Sequence, residues 1–81
     1  GKWRVLMFDL PVRFRKAREA FRWKIKNLGF WQLQKSVWVY PYLCEEEMVF
    51  VAEFFGVTKH IEILTVEKLL REDELKKHFN L

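Results

Sequence analysis

Asp9 is the only acid in the first eighteen residues, and it ends the apolar run Trp3-Arg4-Val5-Leu6-Met7-Phe8. A carboxylate in that place can give one oxygen to Mg²⁺ or Mn²⁺, an ion that otherwise keeps several waters. One carboxylate per chain is thin for two-metal phosphoryl chemistry, but a nearby two-fold axis would bring two Asp9 residues together. Asp9 can equally cap the helix start that follows it, a position where Asp is favoured. Further on, Arg15, Arg18, Arg22 and Lys26 fall on one stripe at helical spacing, with only Glu19 among them. Like charges at this spacing repel. The stripe is easier to understand if an anion neutralises it, and Arg presents a planar fork that fits phosphate. The competing readings are a solvated face and pairing with the acidic half of the chain.

Other reactive side chains give weaker signals. Ser36 has no base near it in sequence and reads as a turn residue. His60 and His78 lack metal-ligand spacing with each other or with Cys44. The three glycines are single, so there is no glycine-rich phosphate loop. One cysteine excludes an internal disulfide and fits a reducing, cytoplasmic setting. No apolar run approaches the length of a membrane span, and no signal peptide is visible. Apolar residues make up 51% of the chain, too many for disorder.

Charge is unevenly distributed. Residues 1–40 hold ten Lys/Arg against two acids, and residues 41–81 hold five against nine. One side therefore suits a polyanion and the other repels it, unless the halves neutralise each other within or between subunits.

The elements that must position these residues follow from periodicity. Trp3 to Asp9 reads as a strand that Pro11 stops. Residues 13–28 read as a helix whose core stripe is Phe14, Ala17, Phe21, Ile25 and Leu28, with Gly29 as its cap. Phe30–Gln34 and Ser36–Tyr40 read as strands joined by a tight turn or bulge near Lys35-Ser36. Cys44–Phe55 reads as a second helix. Glu45, Glu46 and Glu47 lie in its first turn, and Met48, Val51, Ala52 and Phe55 form its stripe. Lys59–Val66 reads as a fourth strand. Glu67–Phe79 reads as a polar, mostly helical tail anchored by Leu69, Leu70, Leu75 and Phe79. Trp23, Phe50 and Phe54 lie off the core stripes and suggest packing on the tail, another domain or a subunit.

This order is the ferredoxin-like βαββαβ arrangement, an α+β sandwich with a C-terminal helical appendage, in a single domain spanning residues 1–81. Both helices would cover one sheet face. The other face is also apolar and must be covered by a second subunit, the tail or the bases of a nucleic acid. The start Gly1-Lys2, without Met, reads as a domain cut from a longer protein or a tag scar before a native start.

The segments Trp3-Arg4-Val5-Leu6-Met7-Phe8-Asp9-Leu10-Pro11, then Arg13 and Arg18, then Leu28-Gly29-Phe30 and Leu33-Gln34-Lys35-Ser36-Val37-Trp38-Val39-Tyr40-Pro41 resemble the central domain of PaaX-type transcriptional repressors. That domain is itself similar to the second CRISPR-associated (Cas) protein, an endonuclease-like family. The match covers most of residues 3–66. The resemblance implies a ferredoxin-like fold, a homodimer packed through its sheets, and a metal-binding role at Asp9. The Asp-Leu-Pro sequence and the Trp38-to-Pro41 ending are closer to the PaaX type.

Three functions are therefore expected, in this order. The first is a dimerisation and nucleic-acid-associated module of a PaaX-like regulator, touching DNA more than RNA through Arg15, Arg18, Arg22 and Lys26. The second is a Mg²⁺- or Mn²⁺-dependent nuclease with Asp9 as catalytic and metal-binding residue, or a scaffold of CRISPR spacer acquisition. The third is a single-strand RNA binder using Trp38 and Tyr40 on an open sheet face.

Overall fold

The computed structural model describes residues 1–81. Strand β1 (Trp3–Phe8) lies inside the sheet. It pairs antiparallel with β3 (Val37–Tyr40) on one side and β4 (Ile61–Val66) on the other. Strand β2 (Trp31–Gln34) pairs only with β3, giving the order β2-β3-β1-β4. The result is an α+β molecule with a four-stranded antiparallel sheet and three helices.

Period-two alternation sends β1 side chains to both faces, and both are buried: Leu6 at 0% exposure on one, Trp3 and Val5 on the other. Helices α1 (Arg15–Leu28) and α2 (Glu45–Phe54) cover the Leu6 face. Ala17, Phe21 and Ile25 pack there with Met48, Ala52 and Val57. The opposite face carries Trp3, Val5 and Val39, and Leu75 of α3 (Glu72–Phe79) packs on them. The tail is thus what covers the second apolar face. Trp3 Nε1 donates to Glu72 Oε1 at 2.9 Å, and the Trp3 and Phe79 rings sit 6.2 Å apart.

Several local details depart from the sequence reading. A single 3₁₀ turn, Val12–Phe14, precedes α1. Phe14 donates its N–H to the Pro11 carbonyl at 2.9 Å, closing that turn before the regular helix begins. The positions that open the turn and the helix are Pro11 and Phe14, and neither makes a side-chain cap. Asp9 stands too early in the chain to cap either one. At the other end Gly29 does cap α1, at φ 92° and ψ 30°, with its N–H on the Ile25 carbonyl. A left-handed residue there favours glycine. The bend between β2 and β3 combines the Lys35-Ser36 turn with a register shift between Gln32 and Gln34.

The tail is helical only from Glu72. Residues before it turn the chain from β4 to the far sheet face, and the Glu72 N–H meets the Leu69 carbonyl at 3.1 Å. Leu70 projects from this turn at 104% exposure and anchors nothing. Leu75, 1% exposed, anchors the tail, and Leu69 and Phe79 pack partly buried against the same cluster.

Candidate nucleic-acid interface

Asp9 leaves the sheet where three segments meet. The Phe8 N–H donates to the Ser36 carbonyl at 3.2 Å, and the Asp9 N–H donates to the His60 carbonyl at 3.1 Å. The backbone is therefore held on both sides while the carboxylate stays exposed, without a hydrogen bond or ion pair to the rest of the chain. Strands β1 and β2 run the same way, because each is antiparallel to β3. The α1 crossover between them sets the end of β1 and the β2–β3 turn at one edge. Lys35 and Ser36 thereby arrive next to Asp9.

A groove of about 740 Å³ opens at this edge. Arg18, Arg22 and Lys26 line it from α1, and Lys35 lines it from the turn. Asp9 is its one acid, and Phe8, Phe30 and Trp38 contribute apolar surface. None of the four cations is paired with an acid. The ion pairs in the chain are Arg4–Glu45, Lys24–Glu47, Arg71–Glu74 and Lys76–Glu72. The acidic half therefore leaves these cations available. The indole N–H of Trp38, another donor among the lining residues, is buried without an acceptor.

The structure divides the stripe expected from sequence. Arg18, Arg22 and Lys26 share the groove, whereas Arg15 lies apart, in a hollow with Arg13, Phe14, Lys16 and Phe55. Lys35 was missed because it is remote from the helix in sequence. The signal for it was topological: a crossover from one strand to a parallel one returns the chain to the same edge. Trp38 and Tyr40 are not on an open face. They pack against the core beneath α1 and α2, so they form no stacking platform for bases.

The donor set bears on a metal. Asp9 offers one carboxylate, and no three His, Cys, Asp or Glu side chains converge anywhere in the chain. Its groove neighbours are cations, which oppose a divalent ion electrostatically. The residues of one chain do not fit a resident Mg²⁺ or Mn²⁺. No helix is long and apolar enough to cross a membrane.

The family model described as the PaaX protein central Cas2-like domain matches residues 1–78. The chain belongs to the PaaX central Cas2-like domain family. Among curated proteins none matches it. The PaaX segments picked out by sequence lie where the groove is built: β1 with Asp9, the basic face of α1, and the β2–β3 turn. Membership suggests a module of a PaaX-like regulator and does not favour the nuclease reading.

Proposed function

We propose that this chain is the dimerisation and nucleic-acid-associated module of a PaaX-like transcriptional regulator, acting on DNA in the cytoplasm as a homodimer. The observation that carries the nucleic-acid half is the groove with four unpaired cations, Arg18, Arg22, Lys26 and Lys35. Their spacing along a helix and a turn suits a phosphate backbone, whose condensed counterions are released as cations replace them. Such contacts fix position on DNA and read no sequence, so they complement a separate base-reading element. The ferredoxin-like reading of the fold is supported by the order β2-β3-β1-β4 and by two helices on one face. Family membership supports dimerisation, through the sheet packing that the resemblance implies.

Salt dependence tests the nucleic-acid half. Four phosphate contacts give a slope of about −3.6 in log K against log salt. Affinity for labelled duplex DNA then falls about 150-fold between about 50 and 200 mM salt by the same relation. Arg18→Ala with Arg22→Ala should halve the slope and reduce that loss to about 12-fold. A slope unchanged in the double variant removes α1 from the contact.

A further inference from the structure

Helix α2 is apolar on both of its sides. Met48 and Ala52 are fully buried in the core under the sheet, while Val49, Phe50 and Phe54 face outward at 40%, 68% and 74% exposure. A helix with apolar residues all round is normally buried all round. Phe50 and Phe54 line one side of a groove of about 710 Å³ between α1 and α2. Trp23, 64% exposed, lines it from α1 together with the small side chain of Ala20. This groove shares no residue with the one beside Asp9. The tail cannot close it, because α3 packs on the opposite face of the sheet.

Charge narrows what can. Lys24, Glu46 and Glu47 are the charged residues of the lining. Lys24 Nζ and Glu47 Oε2 pair at 2.8 Å and cancel. Glu46 has no ion-pair partner, and neither has Glu53. Glu46, Phe50, Glu53 and Phe54 recur at three- and four-residue spacing and so share one face of α2. No free cation lines the groove: Arg18, Arg22 and Lys26 line the groove beside Asp9, and Arg13, Arg15 and Lys16 line the hollow beyond Phe55. The uncompensated charge here is therefore negative, on a chain whose net charge is +4. Such a face repels phosphate, and it repels a second α2 bearing the same carboxylates. From Glu46 to Phe55 the helix runs about 13 Å, which accommodates roughly two and a half turns of another helix. Anchors at i, i+4 and i+7 of an amphipathic helix fit a groove of that length.

We propose that the α1–α2 groove receives an amphipathic helix of a partner protein. Its apolar side meets Trp23, Phe50 and Phe54, and Lys or Arg beside that stripe meets Glu46 and Glu53.

The probe is a fluorescein-labelled peptide of about 16 residues, long enough to hold a helix, with Leu along one face and Lys elsewhere. Its twin carries Glu in place of Lys. Fluorescence anisotropy reads binding to the whole chain at about 0.15 M salt, where long-range attraction is screened. The Lys peptide should bind at least about tenfold more tightly than the Glu peptide, opposite to the order that net charge dictates. Phe50→Ala with Phe54→Ala should weaken the Lys peptide by more than about tenfold. Both side chains are exposed, so circular dichroism should show an unchanged fold. Glu46→Lys with Glu53→Lys should reverse the preference between the two peptides. A Glu peptide that binds as tightly, a Lys peptide indifferent to the phenylalanine changes, or failure of both peptides to bind overturns the proposal. Sedimentation velocity adds one further outcome. A self-associated wild type that the phenylalanine changes convert to monomer also overturns it, because a second copy then holds the face.

Discussion

Leu75→Ala is the sharpest test of how the second sheet face is closed. Leu75 is 1% exposed and packs with Trp3, Val5 and Val39 in a cluster that no residue of α1 or α2 enters. Removing its branched end loses the transfer energy of the deleted carbons and leaves a cavity, a combined cost of about 2–5 kcal/mol. A chain of this length holds only about 4–12 kcal/mol in total, so one substitution removes a large share. With a urea slope near 1–1.5 kcal/mol/M, the midpoint should fall by roughly 1.3–5 M. The matched control is Leu70→Ala in the turn before α3. Leu70 is fully exposed, and its loss should cost less than about 0.5 kcal/mol. The assay is urea unfolding followed by tryptophan emission and by far-ultraviolet circular dichroism. Equal midpoints for the two variants would refute the seating of α3 on the sheet. A reduced slope in Leu75→Ala alone would show α3 undocking before the rest unfolds.

Asp9→Ala should leave stability within about 0.5 kcal/mol, since the carboxylate has no partner in the chain. It should also raise DNA affinity modestly at low salt by removing the one negative charge in the groove, which a binding titration would read. The Cys44 thiol is pushed up to about 11, first by burial and then by Glu45, with Arg4 opposing. Native protein at pH 8 should therefore resist a thiol-specific disulfide reagent, and unfolding should make Cys44 react at once. Two carboxyls sit below the usual range: Glu72 chiefly through the Trp3 indole, and Glu45 chiefly through the Cys44 backbone N–H. A depressed folded value adds stability above the unfolded carboxyl range of about 4.3 and loses it as pH falls through the folded value. Thermal unfolding should be level from neutral pH down to that range and decline below it, and Glu72→Gln should weaken the decline.

Much of the architecture was legible in the chain because its elements obey simple periods. Ala17, Phe21 and Ile25 repeat at helical spacing and are the residues that become buried. Gly29 announced the end of α1 because the chain needs a left-handed residue there. Boundaries were less legible. The sequence pattern does not distinguish the Val12–Phe14 turn from the first turn of a helix, since both place Phe14 toward the core. Leu70 and Leu75 look alike as anchors, and only the reversal after β4 decides which one meets the sheet. The groove was half legible. Helical spacing gathered Arg18, Arg22 and Lys26, but it also gathered Arg15, whose place at the start of α1 takes it to another hollow. Lys35 needed the strand order, which no local pattern contains.

The Trp3 contact with Glu72 spans 69 positions, and Trp3 also pairs in register with Val66. The first strand of the domain thus has β3 as an early partner but must wait for β4 and α3. During synthesis one edge of β1, and the Trp3–Val5 face that α3 covers, must wait until β4 and α3 have left the ribosome. Native contacts this distant in sequence slow folding and prolong exposure of apolar surface. A ribosome-bound chain ending before Val66 should therefore stay protease-sensitive along its full length, and protection should arrive late and all at once. The order of emergence makes arrival of β4 and α3 the event that commits this small domain to its fold.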